Sequence, residues 1–232
     1  MKKFFFKVKF FYFFYKIIKI FRNSKKNYHF AEYGEDIFVR RFFKKHEKGT
    51  YIDVGSYHPI KGSLTYDLHK KKWFGINIDL SKISIDLFKI ARPNDINLRA
   101  AITDYDGKIF YYENSPINQQ NSIKITAGSK KIEIDCFQLN TILDKYNITK
   151  IDYLNIDTEG NDFKVISTFN FTKFNPTLIS IEYNDYDINN LLNSEINKLM
   201  NINDYKIVSK FGVTCFYTKN TTLLEFEEIM KI

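Results

Sequence analysis

The residues best suited to chemistry fall in three short stretches. The run Asp53-Val54-Gly55-Ser56-Tyr57-His58-Pro59 joins an acceptor carboxylate to a glycine, and Asp79 follows 26 residues after Asp53 at the end of a second apolar run. A glycine there lets a ligand approach the backbone, and an acidic side chain at the neighbouring strand end can accept both hydroxyls of a ribose. Acidic, glycine turn, helix, strand, acidic is a nucleoside-binding order. An ordinary strand-to-helix turn would also accommodate Asp53 and Gly55, but Asp79 favours the ligand reading. Gly55 is the only glycine of its turn, and His58-Pro59 stand where a GxGxxG loop would meet a pyrophosphate, so a dinucleotide is disfavoured. The smaller, zwitterionic methionyl end of S-adenosylmethionine tolerates such a turn. Further on, Asp157 with Glu159, and Glu182 with Asn184 and Asp185, close two more apolar runs.

These groups meet only if the intervening chain forms a sheet. Strands are expected at residues 50 to 54, 74 to 79, 96 to 102, 153 to 157, 178 to 183, 206 to 209 and 213 to 218, from β-branched and apolar runs bounded by turn residues. Helices are expected at 36 to 45, 63 to 72, 81 to 90, 139 to 146, 163 to 169 and 188 to 200, from apolar residues recurring at helical spacing. Alternating strands and helices imply a mostly parallel seven-stranded sheet with helices on both faces, and a C-terminal antiparallel hairpin through Phe211-Gly212. Residues 108 to 112 and 131 to 137 add an inserted hairpin after the third strand. Ligands of such sheets collect at the carboxyl ends of the strands, where Asp53, Asp79, Asp157 and Glu182 would lie.

Length and composition fit one domain, and a hydrophobic content of 44% supports a full core. The net charge of +8 is unevenly placed: nine positive charges fall in the first 31 residues, which contain no Asp or Glu, leaving the rest close to neutral. That balance lacks the broad basic footprint of a duplex binder, so no nucleic-acid partner is expected. The chain divides into a basic aromatic segment, residues 1 to 30, and a domain over 31 to 232. The segment up to Lys26 interleaves lysine with phenylalanine, is too short and charged to span a bilayer, and has no small-residue cleavage site. It reads as an interfacial segment on an anionic membrane, or else as a poorly ordered terminus or a helix packed on the domain. Cys136 and Cys215 lack CxxC spacing, so neither a disulfide framework nor a zinc site is expected. The expected setting is cytoplasmic, with any membrane contact peripheral and on the inner face.

Six blocks carry a resemblance: Tyr33-Gly-Glu-Asp36, Tyr51 to Pro59, Leu64-Thr-Tyr66, Trp73 to Asp79, Arg92 to Leu98, and Leu154-Asn-Ile-Asp-Thr-Glu-Gly160. In that order they resemble the FkbM-type methyltransferases. The resemblance implies a Rossmann-like class I fold and S-adenosylmethionine-dependent O-methylation, often of sugars in surface glycans. Carried over by position, Asp53, Gly55, Ser56 and His58 would line the methionyl side and Asp79 the ribose. Ser63 and Thr65 would offer helix N-terminal donors to the carboxylate, and Tyr33 and Glu35 would close over the cofactor. Arg92 and Asp95 precede the third strand, which suggests a structural ion pair at the far end of the sheet.

A sugar hydroxyl must lose its proton during transfer, so a base is needed beside the methyl donor. Asp157 and Glu182 are the expected base or hydroxyl-binding residues, with Glu159 in support and His58 the alternative base. His58 also reads as a structural turn residue, and Asp157 and Glu159 as helix caps. These carboxylates suit Mg²⁺ in donor type, but their spacing does not define octahedral geometry, so no metal site is expected. The segment Asp104 to Cys136, with Tyr105, Tyr111, Tyr112 and a polar loop of Asn114, Asn118, Gln119, Gln120 and Asn121, reads either as a cover over a sugar or glycoconjugate acceptor or as an ordinary exposed hairpin. A non-catalytic S-adenosylmethionine- or glycan-binding module and a methyltransferase for a non-sugar small molecule are the alternatives.

Overall fold

The structure, a computed structural model, describes residues 9–22, 29–113, 121–122, 130–219 and 222. The strands form on short apolar runs bounded by turn residues. β1 (Thr50–Val54), β2 (Phe74–Asp79), β3 (Ile96–Arg99), β8 (Tyr153–Ile156) and β9 (Leu178–Glu182) are joined in parallel, in the order β9-β8-β1-β2-β3. β11 (Thr214–Lys219) adds antiparallel to β9, and β10 (Tyr205–Phe211) antiparallel to β11. The result is one mixed, mostly parallel sheet of seven strands.

Strand side chains alternate, so each face needs its own cover. On one face Tyr51, Tyr153, Leu178 and Phe216 pack with α2 (Glu35–Phe42) and with Leu68 of α3 (Tyr66–Lys70). On the other, Ile52, Ile76, Leu154 and Ile179 pack with α5 (Leu139–Lys145), α6 (Asp162–Ser167), α7 (Phe171–Phe174), α8 (Ile188–Asn193) and α9 (Glu195–Ile202). α4 (Lys82–Ala91) carries Ile83 and Leu87 into a third cluster, shared with Ile60 and with Ile20 of α1 (Lys9–Arg22). The amino-terminal helix thus rests on the domain.

Several boundaries differ from expectation for local reasons. The third strand is split at Ala100: the Ala100 N–H donates to the Asp79 carbonyl, and the chain then leaves the large sheet. β4 (Ala101–Ile102) instead pairs in parallel with β7 (Lys130–Phe137). β7 in turn pairs antiparallel with β5 (Gly107–Glu113), and β6 (Asn121–Ser122) completes a second sheet of order β4-β7-β5-β6. The inserted hairpin is therefore the core of a separate four-stranded sheet. Asn114, Asn118, Gln119 and Gln120 lie outside the described residues.

The helix expected over 188 to 200 breaks at Ser194, whose extended backbone ends α8 and whose Oγ accepts the Asn197 N–H as the cap of α9. α3 starts only at Tyr66, leaving Ser63 and Thr65 in the turn before it. Cys136 and Cys215 are buried and free.

Candidate active site

One row of polar residues crosses the apolar sheet. Register places Asn97 beside Asn77, Asn77 beside Asp53, Asp53 beside Asn155, and Asn155 beside Ser180. Buried polar groups are costly unless bonded, and here they are linked. The Tyr153 hydroxyl and Ser180 Oγ lie 2.6 Å apart, Ser180 donates to Asn155 Oδ1 (2.6 Å), and Asn155 Nδ2 donates to Asp53 Oδ1 (2.9 Å). Thr65 Oγ1 donates to the other Asp53 oxygen (2.7 Å) and accepts from Arg92 (2.8 Å). Arg92, fully buried, also donates to Ser63 Oγ, the Tyr51 hydroxyl and the Pro59 carbonyl.

This corrects two expectations. Arg92 forms no direct ion pair with Asp95: the Tyr51 hydroxyl stands between them, donating to Asp95 (2.5 Å) and accepting from Arg92 (3.2 Å). Instead of sitting at the far end of the sheet, Arg92 reaches the underside of the β1 loop. Gly75 makes this possible, because a Cβ there would stand 2.2 Å from the Tyr51 ring.

Above this row, at the carboxyl ends of the strands, opens a cleft of about 660 Å³. From β1 it takes Asp53, and from the loop that follows Gly55, Ser56 and Ser63; from β2, Asp79; Tyr33 comes from the segment before α2 and Glu35 from its first position. Asp157 and Glu159 enter after β8, and Glu182 ends β9. Gly55 is required twice over: its φ is +81°, and a Cβ would fall 1.6 Å from the Asp157 carbonyl oxygen. That close approach brings the β1 and β8 loops together.

Two expected cofactor residues are absent from the cleft lining. Thr65 is fully buried, its hydroxyl committed to Asp53 and Arg92. His58 is buried, with Nδ1 accepting the N–H groups of Ile60 and Lys61 (both 3.0 Å). Burial, then the charges of Lys19, Arg92 and Lys61, hold its pKa down to about 3. His58 holds the turn and, lying outside the cleft lining, is not placed to take a proton there. Ser63 lines the cleft, but its hydroxyl serves Arg92.

The capping expectation fails as well. Asn161 occupies the N-cap position of α6, and Asp162 receives the N–H groups of Thr158 (2.8 Å) and Gly160 (3.1 Å). Asp157 and Glu159 remain facing the cleft. Sequence reading missed Asn155 and Ser180, although a lone polar residue within each apolar strand was the available signal.

At one end of the cleft, Asp79 Oδ2 accepts the Tyr57 N–H (2.8 Å) and Oδ1 the Ser81 N–H (2.6 Å). Burial is the main cause raising its pKa to about 6. At the other end, loss of water around its carboxyl and then the neighbouring Glu182 charge hold the Asp157 pKa well above the usual range, although the residue as a whole stays exposed on the cleft wall. Glu182 is itself raised to about 7, by burial and then by Asp162 and Glu159. Close carboxylates of this kind titrate as a unit and retain a proton near neutrality.

Seven carboxylate side chains line the cleft, against Lys61 as its single lysine or arginine among the described residues. Among those residues, no three His, Cys, Asp or Glu side chains converge to hold a metal ion. Two buried atoms lining the cleft, Ser56 Oγ and Glu182 Oε2, have no hydrogen-bond partner. Such atoms are usually satisfied by a ligand or water.

A folded-state pKa raised above the usual 4.5 has a defined effect on stability. As pH rises from about 4.5 through about 7, the unfolded chain releases a proton that folded Glu182 retains, so stability is lost across that window. Glu182→Gln is therefore expected to raise Tm by a few degrees at about pH 8 and leave it nearly unchanged at about pH 4. Thermal melts at the two pH values check this, and a lower Tm at the higher pH would contradict it.

A mostly parallel sheet with an acidic cleft at its carboxyl edge, spanning the ends of β1, β2, β8 and β9, defines an α/β fold of the kind used by methyltransferases. The methyltransferase FkbM domain model matches residues 53–207, more than half of the chain, so this chain belongs to the FkbM methyltransferase family. No curated protein and no solved structure matches it. Methyltransferases of this family generally draw the methyl group from S-adenosylmethionine.

Proposed function

We propose that this chain is an S-adenosylmethionine-dependent O-methyltransferase with a Rossmann-like class I fold, acting on a sugar hydroxyl of a surface glycan or related glycoconjugate. The observation that carries this reading is a single cleft with Asp79 at one end and the Asp157–Glu182 pair at the other. When bound, S-adenosylmethionine supplies an electrophilic methyl group on a positively charged sulfur. Asp79 would take the ribose hydroxyls. Asp53, with both oxygens already anchored from below, would present its remaining lone pairs to the methionyl ammonium, and Ser56 Oγ would gain the partner it lacks. The excess of carboxylates favours a cationic ligand, which supports S-adenosylmethionine over a nicotinamide dinucleotide with its pyrophosphate.

The acceptor hydroxyl gives its proton to Glu182, while Asp157 keeps the shared proton and donates a hydrogen bond. At the mouth, exposed Tyr33, whose ring lies over the Gly212 turn, stands near Tyr186 and offers an aromatic surface for a sugar ring. No helix among the described residues is long and apolar enough to cross a membrane.

Isothermal titration with S-adenosylmethionine, S-adenosylhomocysteine and NADH in parallel tests the cofactor. The two adenosyl ligands are expected to bind at micromolar concentration and NADH not at all; binding of NADH alone would overturn the reading. With an acceptor in hand, kcat is expected to rise with pH through about 7, because the ionised form of Glu182 is the competent one. A flat profile between about pH 5 and 9 would remove Glu182 as the base.

A further inference from the structure

α1 is amphipathic in an inverted sense. At 100° per residue, Tyr12, Tyr15, Lys16, Lys19 and Ile20 share one side of the helix, and Phe11, Phe13, Phe14, Ile17 and Ile18 fill the opposite arc of about 160°. In water the charged arc of a helix faces outward. Here it faces the protein. The Tyr12 hydroxyl donates to Asp86 (2.8 Å), Lys16 lies 3.6 Å from the same carboxylate, and Ile20 is buried against Ile60, Ile83 and Leu87. The all-apolar arc is turned away from the domain, with Phe11 47%, Phe13 50%, Phe14 55% and Ile18 48% exposed.

The charge around this arc selects its partner. Lys2, Lys3, Lys7 and Lys9 precede or begin the helix, and Arg22, Lys25 and Lys26 end or follow it, with no acidic residue before Glu32. Cations at both ends of an aromatic stripe suit a surface that is apolar beneath a negative headgroup layer. A helix of 14 residues, about 21 Å long, is too short to cross the roughly 30 Å hydrocarbon core.

We infer that α1 is a membrane-docking helix that inserts Phe11, Phe13, Phe14 and Ile18 into the interface of an anionic bilayer while its tyrosine and lysine face holds the domain. Ile20 packs on Ile60, whose neighbour Lys61 lines the cleft. Docking therefore brings that wall of the active site close to the lipid surface. If the proposed glycan activity holds, a membrane-linked acceptor would be presented there, but the docking does not depend on that activity.

The full chain is to be co-sedimented with phosphatidylcholine vesicles with and without phosphatidylglycerol, beside the variant Phe13→Ser/Phe14→Ser/Ile18→Ser. Binding is expected only to the phosphatidylglycerol vesicles, with a loss of about tenfold in the variant and a further loss at raised salt. S-adenosylmethionine affinity and Tm should be unchanged. Trp73, the only native tryptophan, is buried, so Phe14→Trp adds an independent probe whose emission should shift to the blue on binding and be quenched by brominated lipid. Equal vesicle binding by parent and triple variant, no vesicle binding, or an emission of the Phe14→Trp variant unmoved by lipid would each overturn the inference. So would a concentration-dependent dimer, without vesicle binding, that the triple variant abolishes.

Discussion

Glu182→Gln is expected to lower kcat by about 10²- to 10⁴-fold, the range for removing a general base, while leaving S-adenosylmethionine affinity within about threefold. Glutamine preserves the shape of the side chain and its contact with Asn184 but cannot accept the acceptor's proton. A structural role would show itself as lost stability or lost cofactor binding instead. The residual rate has a predicted source. The Glu182 charge is the largest electrostatic influence holding the Asp157 pKa up, so without it Asp157 ionises more easily and becomes a weaker substitute base. Asp157→Asn should therefore cost less than Glu182→Gln, and the double variant should lose the remaining rate. Full turnover in Glu182→Gln, measured in single-turnover assays with saturating cofactor, would dismiss the pair as the proton acceptor.

The second large effect belongs to the opposite end of the cleft. Asp79→Ala is expected to weaken S-adenosylmethionine binding by about 100-fold or more, because two charge-assisted hydrogen bonds of about 1.5 to 3 kcal/mol each are lost. The same change frees the Tyr57 and Ser81 N–H groups that Asp79 now holds, so the β1 loop loses an anchor as well. Removing a carboxylate whose pKa is raised to about 6 relieves an unfavourable charge, and Tm should move by only a few degrees. In the parent, affinity should weaken as pH falls through about 6 and Asp79 takes up a proton. Titration calorimetry across that range checks both points; an affinity unchanged in Asp79→Ala would mean that the nucleoside lies elsewhere.

Both predictions depend on environment more than on residue type, and this marks how far the sequence could be read. Asp53, Asp79, Asp157 and Glu182 were legible because each closes an apolar run and because strand ends converge in parallel sheets. Their pKa values were not legible, since they arise first from loss of water in the folded cleft and then from charges that folding brings near. His58 and Thr65 carry suitable atoms in a suitable stretch, yet the turn consumes His58 Nδ1, and Arg92 with Asp53 consumes the Thr65 hydroxyl. Arg92 was misread for a related reason. Its position before β3 was correctly read, but a long side chain can lie along the sheet and end beneath a loop more than one strand away.

What the sequence determined unaided is local. Apolar runs set the strands of the large sheet, Gly55 and the residues around it set the first loop, and the first 31 residues concentrate the positive charge. Tertiary structure decided where the chain changes sheets at Ala100, which hydroxyls remain for a ligand, and that Asp157 and Glu182 come close enough in one cleft for their charges to interact. It also decided which face of α1 turns outward: the helix's own pattern would send the charged arc to water, but Asp86 and the Ile60 cluster claim that side. The physical reason is common to these cases: periodicity is written along the chain, whereas register, burial and electrostatic fields arise between segments that only folding brings together.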